Sequence, residues 1–278
     1  DLGFEASLGT RGNKGDFTWD ISGNISWSRA KWDHFEETEY TDPEQARVYK
    51  MSGQWTDRVM GYKTDGLYTS QTEIDAIKFD QDGQGNKTIK PGDIKYIDVN
   101  GDKKLDWKDQ VDLGKGNMPH WMFGLTSNFK YKNFDLSMLF QGAAGNYISI
   151  INPENGNFQG EAETISLQMF KNRWTEANND PHALFIRSGS QAQGGGFSDF
   201  YFKKAGYIRL KTLNIGYNVP KQILQLAKIT NLRVFMAGTN LLTLDRLKKY
   251  GLDPESPSGS FLYYPQQRTL TLGINLTL

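Results

Sequence analysis

Twelve residues concentrate the oxygen chemistry of this sequence: Asp98-Val99-Asn100-Gly101-Asp102-Lys103-Lys104-Leu105-Asp106-Trp107-Lys108-Asp109. Side-chain oxygens fall at the first, third, fifth, ninth and twelfth positions, and the Lys104 carbonyl falls at the seventh. That is the spacing of a calcium loop, which wraps about seven oxygens round one hard cation. The predicted ligands of a structural Ca2+ are therefore Asp98, Asn100, Asp102, Lys104, Asp106 and Asp109. Two departures count against it. Lys103 stands where glycine normally makes the sharp turn, and Asp109 has a shorter arm than the usual glutamate. Lys103, Lys104 and Lys108 also oppose a cation. The competing reading is a loop of Asx turns held by its own hydrogen bonds.

Other chemistry is thin. Gly83-Gln84-Gly85-Asn86-Lys87-Thr88 has the look of a phosphate loop, but Asn86 occupies the place of the glycine before the lysine. His34, His120 and His182 have no carboxylate or serine at motif spacing. There is no Gly-x-Ser-x-Gly. With 32 acidic residues, pairs such as Glu36-Glu37 do not argue for glycoside hydrolysis. The absence of Cys excludes thiol catalysis, disulfides and thiolate metal sites. Lys plus Arg balance Asp plus Glu at 32 each, and no basic stripe points to nucleic acid. No enzyme is predicted. Trp55, Tyr62, Tyr68, Phe158, Phe197, Phe200, Tyr201 and Tyr263 lie outside the regular segments and are candidates to stack on sugar rings, against the alternative that they pack on one another.

The elements that must carry these residues are strands. In Thr269–Leu278 one parity reads Leu270, Leu272, Ile274, Leu276, Leu278 and the other Thr269, Thr271, Gly273, Asn275, Thr277. Successive strand side chains point to opposite faces, so one face is apolar and the other polar. Leu2 to Leu8 alternate likewise, followed by a polar turn at Thr10–Asp16. Phe17 to Ser28 keep the period over twelve residues, with aromatics near both ends, as in a lipid-facing strand. Trp121–Tyr131 and Phe134–Gln141 form a hairpin round Lys132-Asn133. Tyr207–Val219 shifts parity between Lys211 and Leu213, which predicts a β-bulge. Asn231–Leu241 is the sixth strand.

Between strands the connections alternate short and long. The long ones are predicted at residues 29–119, 145–206 and 243–265, the second with a helix over Thr164–Trp174. Sorting loop lengths by rim is the habit of outer-membrane barrels. A mean hydropathy of −0.61 does not oppose this, because alternating strands dilute their apolar residues. No run is long and apolar enough for a membrane-spanning helix. The predicted fold is all-β: about seven or eight strands of a large antiparallel transmembrane β-barrel with long extracellular loops. The chain opens in mid-strand at Asp1-Leu2-Gly3-Phe4, which reads as an internal cut, and short periplasmic turns would leave Leu278 in the periplasm.

Several stretches make a resemblance. They are Gly92-Asp93-Ile94-Lys95-Tyr96-Ile97-Asp98-Val99-Asn100-Gly101-Asp102 with Asp106 and Asp109, Ala205-Gly206-Tyr207-Ile208-Arg209-Leu210-Lys211-Thr212-Leu213-Asn214-Ile215-Gly216-Tyr217, Asn240-Leu241-Leu242-Thr243, Tyr250-Gly251-Leu252-Asp253-Pro254-Glu255 and Tyr264-Pro265-Gln266-Gln267-Arg268-Thr269. In that order the chain resembles the SusC/RagA-like group of TonB-dependent outer-membrane receptors. The resemblance implies the C-terminal portion of a barrel of about 22 strands, closed by a plug that is absent from this sequence. It implies energised uptake of oligosaccharides, or of peptides, across a bacterial outer membrane. It implies as partners a SusD-like surface lipoprotein, TonB through the missing N-terminal region, the remaining barrel and plug, and outer-membrane lipid. Two other readings compete: a secreted calcium-containing β-sandwich that binds polysaccharide, and a complete small eight-stranded outer-membrane barrel.

Overall fold

The computed structural model describes residues 1–150, 167–190, 197–225, 229–255 and 266–278. In chain order the strands are β1 (Leu2–Lys14), β2 (Phe17–Arg29), β3 (Arg58–Gly61), β4 (Thr64–Leu67), β5 (Ile94–Tyr96), β6 (Val111–Lys115), β7 (Trp121–Tyr131), β8 (Phe134–Ala144), β9 (Tyr147–Ser149), β10 (Phe202–Lys204), β11 (Tyr207–Asn218), β12 (Asn231–Asp245) and β13 (Thr269–Thr277). Short helices interrupt the connections: α1 (Pro43–Tyr49), α2 (Gln71–Asp75), α3 (Leu167–Asn172) and α4 (Lys221–Leu224). Seven strands make one antiparallel sheet in the order β1-β2-β7-β8-β11-β12-β13. Each is paired to its sequence neighbour in the sheet; the three long connections lie at one rim, and the other carries two tight turns and the connection that holds α4.

The alternation read from the sequence sets the two faces of this wall. Outward stand Phe4, Leu8, Ile25, Leu125, Ile215, Leu270, Leu272, Ile274 and Leu276, all exposed. No second sheet covers them among the described residues. Two aromatic bands border this apolar face. Phe4, Trp27 and Trp121 cluster near the loops with ring centroids 5.7–6.4 Å apart. Near the short turns Phe17 lies 5.8 Å from Trp19 and 6.0 Å from Phe129, and Phe134 lies 4.7 Å from Tyr217. Amphipathic rings favour the level where hydrocarbon meets water, so the spacing of the bands matches a lipid-facing wall.

Three details differ from the sequence expectation. The polar stretch Thr10–Lys14 is strand, because it pairs in full with Phe17–Ile21 and Arg11 meets Asp20 across the hairpin. The turn is only Gly15-Asp16, with Gly15 at φ 60°, the sign that the first position of a type II′ turn requires. The bulge sits one residue earlier, centred on Lys211, where pairing slips between Leu210 and Thr212. Asn240, at φ 52°, and Leu241 absorb the slip on β12, which lets that strand continue to Asp245, beyond the expected loop start at residue 243. The helix expected over 164–174 is present as α3; its expected cap Thr164 lies outside the described residues.

The hydrophobic core is not in the wall. It is built by the three long connections above the rim. The first gives Tyr62, Leu67, Ile94 and Tyr96; the second Ile148, Ile150, Trp174, Phe185, Ile186 and Tyr201; the third Leu247, Tyr250 and Leu252. Full burial of a side chain of this size contributes about 1.5–3 kcal/mol, so the loops fold as one cap. A satellite cluster packs Tyr68, Ile74 and Ile89. Asp42 and Ser70 cap α1 and α2 by accepting from the Glu44 and Glu73 backbone N–H groups.

Candidate functional site

The polar face of the wall and the underside of the cap form the site. Ionic nodes tie strands to one another and loops to strands. Arg209 on β11 is 1% exposed. Its Nη1 donates to Glu255 Oε2 at 2.8 Å, its Nη2 to Asp253 Oδ2 at 2.7 Å and its Nε to Thr243 Oγ1 at 2.9 Å. Lys211 Nζ meets the same Glu255 oxygen at 2.8 Å. The bulge explains this convergence. One extra residue resets the alternation, so Leu210 and Leu213 both face outward while Arg209 and Lys211 both reach Glu255. The Asp253-Pro254-Glu255 segment of the third loop is thereby latched onto the inner face.

Nearer the short turns, Arg233 on β12 donates to Asp135 on β8 at 3.1 Å through Nε and to Asn214 on β11 at 3.0 Å through Nη2. Asn218 also donates to Asp135. Three strands are stitched by one guanidinium, which also lies 5.2 Å over the Phe235 ring. Phe235 turns inward and lies flat where Gly273 on the facing strand has no Cβ to obstruct it.

At the opposite rim Asp57 takes Arg29 Nε at 2.9 Å on one oxygen and His120 Nε2 at 2.6 Å on the other. Burial raises the Asp57 carboxyl, but the hydrogen bonds from Arg29 and His120 outweigh it and hold it below the usual carboxylate range. The Arg29 guanidinium also sits 4.2 Å over the Trp55 ring. This node fastens the first loop to the ends of β2 and β7. The sequence reading missed it because 63 residues separate Asp57 from His120. The only signal was a histidine at the threshold of a strand.

Between these nodes the inner face holds a concave recess of about 1160 Å³, lined among others by Glu5, Ser26, Asn117, Met122, Gln141 and Glu255. Its lining is mixed: Ser7, Asn24, Ser26, Asn117, Gln141 and Asn146 alternate with apolar side chains, Glu5 and Glu255 are its charged members, and Met118 and Met122 are exposed.

The six predicted calcium ligands do come together in one turn, but the side-chain oxygens of five of them, Asp98, Asn100, Asp102, Asp106 and Asp109, accept hydrogen bonds within the loop. Asp98 accepts from the Gly101 and Lys103 backbone N–H groups, Asn100 from Asp102, and Asp102 from Lys104. Asp106 caps a single 3-10 turn over Trp107–Asp109 and meets Lys104 Nζ at 2.9 Å. Asp109 is buried and accepts from Val99 and Asp106 backbone N–H groups. Burial pushes its carboxyl up in spite of them. Among the described residues no group of three or more His, Cys, Asp or Glu is arranged to hold a metal ion. The donor set fits the Asx-turn alternative, with a lysine ammonium placed among the would-be ligands.

The Gly83–Thr88 turn is likewise filled by its own anion. Asp82 accepts from the Gln84, Asn86 and Thr88 backbone N–H groups and from the Thr88 hydroxyl. Burial alone would raise that carboxyl, but these bonds dominate and lower it well below the usual range. Of the candidate sugar-stacking rings, Tyr62, Tyr68, Phe200 and Tyr201 are buried in the cap and Trp55 is covered by Arg29; Phe197 is exposed, while Phe158 and Tyr263 lie outside the described residues.

Comparison with known proteins adds to this geometry. The chain is 32% identical over 230 residues to TonB-dependent receptor P26 of Formosa agariphila, a match covering 78% of this chain and 22% of the relative. It is 28% identical to TonB-dependent receptor SusC of Bacteroides thetaiotaomicron, over 94% of this chain and 24% of the relative. The structure of the RagAB peptide transporter superposes with a TM-score of 0.65 at 19% identity, over 99% of this chain and 29% of that one. No family model matches. The chain spans between 22% and 30% of the length of the curated relatives it matches.

Proposed function

Since this chain is part of a SusC/RagA-like TonB-dependent receptor, a protein of the outer membrane, we propose that it supplies wall and external cap to an energised nutrient importer. Its polar face lines the passage, and oligosaccharide or peptide cargo moves along that face. A SusD-like lipoprotein covers the cap from outside. TonB acts through an N-terminal region and plug belonging to the same receptor. The chain itself does no covalent chemistry: its residues hold a shape.

The single observation that carries this reading is the two-faced sheet. An apolar outer surface bordered by aromatic bands needs acyl chains against it, since exposed apolar strands in water aggregate. A charged, hydrogen-bonded inner surface needs water and polar solutes. The β-sandwich reading would require a second sheet over Leu125, Ile215 and Leu272, and none covers them among the described residues.

The test is made on the intact receptor. It is expected to purify from outer membranes in detergent together with a surface lipoprotein, and cells lacking TonB should bind cargo at the surface without accumulating it. Equal accumulation with and without TonB would refute the energised-import reading.

A further inference from the structure

Where the three long connections meet, the cap holds a separate pocket of about 350 Å³. The first loop contributes Thr64, the second His182, Asp199 and Lys203, and the third Lys249 and Tyr250. The size is at the lower end for small-molecule sites.

Its charge is unbalanced. Among the described residues the Lys203 ammonium donates to the Asp199 backbone carbonyl alone, at 3.3 Å, and lies 5.3 Å over the Phe200 ring and 6.0 Å over the Tyr250 ring. Lys249 Nζ lies 5.1 Å over the same Tyr250. Two ammonium groups thus share one aromatic floor. Among the described residues Asp199 is the only carboxylate in the lining, and its oxygens are taken by Thr64 Oγ1 at 2.6 Å and by Lys63 at 3.6 Å. Burial holds the Lys203 ammonium below the usual lysine range, with Asp199 opposing and Lys249 adding to the effect. By contrast Arg209 has two carboxylates, Arg233 has Asp135, and Arg187 has Asp93. A half-buried ammonium beside a second one, in a concave site, is the arrangement that an incoming anion stabilises.

We propose that this junction pocket binds an oxyanion, a carboxylate, sulfate or phosphate group, held between Lys203 and Lys249 with His182 at the mouth. The ligand touches all three loops at once, so its binding couples them. Two sources offer this chemistry, a free inorganic anion and an acidic group carried on a sugar or peptide. The proposal goes beyond the import reading and does not depend on it.

The test is calorimetric titration of the intact receptor in detergent with sodium sulfate, sodium acetate, glucuronate and, as neutral control, glucose. At least one anion should bind saturably and glucose should not. Lys249→Gln, at the exposed member of the pair, should weaken binding about tenfold or more, since a charge-assisted bond is lost. Lys203→Gln should do the same, and the double variant should show no saturable binding. Glucuronate binding well above acetate and sulfate identifies a carried acidic group; sulfate binding above glucuronate identifies a free ion. Absence of saturable binding by all three anions, or a Lys249→Gln receptor that binds like the parent, overturns the proposal.

Discussion

Leu125→Arg separates a lipid-facing wall from every alternative. Leu125 lies on β7, four residues from Trp121 in one aromatic band and four from Phe129 in the other. At about 3.4 Å per residue and a tilt of about 45°, each band is about 10 Å away along the membrane normal, which places Leu125 at mid-bilayer. Its neighbours across the ladders are Gly23 and Phe140, with no carboxylate to pair an arginine. An arginine at that depth costs about 2–4 kcal/mol, about 30-fold to 700-fold in the folded ratio. The control is Thr126→Arg, one residue on, which faces inward opposite Ser22 and Leu139 and should change stability by no more than about 1 kcal/mol. The assay is urea-dependent folding of the full receptor into lipid vesicles, read by gel mobility. Leu125 is 41% exposed, so on a water-facing surface the same arginine would move stability by only about 0.5 kcal/mol. Equal midpoints for Leu125→Arg and Thr126→Arg would refute the assignment of faces.

Three further outcomes are expected. Arg209→Met removes the guanidinium that Asp253 and Glu255 share in their half-buried site; removing one side of such a network costs about 3 kcal/mol and should expose residues 246–255 to hydrogen exchange, with recovery when Asp253→Asn and Glu255→Gln are added. Asp57 has a lowered folded pKa, so the stability it contributes is present above the ordinary carboxylate value and is lost as pH falls through the lowered one; hydrogen exchange of the first loop should rise below about pH 4, and Asp57→Asn should remove that acid dependence. Elemental analysis of the receptor decides between the two readings of the acidic loop: no calcium at one ion per chain is expected of the Asx-turn loop, and a stoichiometric ion lost in Asp98→Ala plus Asp102→Ala would establish the calcium loop.

The wall was legible and the cap was not, for a physical reason. Period-two alternation is a local property: Leu270, Leu272 and Ile274 declare their face without reference to any other strand. Even the bulge showed itself, as a parity change beside Lys211. The cap's core instead joins Tyr62, Ile148, Phe185 and Leu247, which lie far apart in the chain and follow no period. Aromatic residues such as Tyr68 and Tyr201 therefore looked like free stacking platforms when they are packed inside. The ionic nodes were hidden for the same reason. Arg209 and Lys211, two charges two residues apart on β11, carried a hint, but the acidic partners of Arg209 lie 44 and 46 residues downstream.

Because the cap draws one core from three separate connections, none of them can be exchanged alone. A segment transplanted from another receptor would arrive without the side chains that match its neighbours, and the whole outer surface would loosen. Diversification of such receptors should then proceed by replacing the three connections as a set, upon a scaffold of strands that need not change.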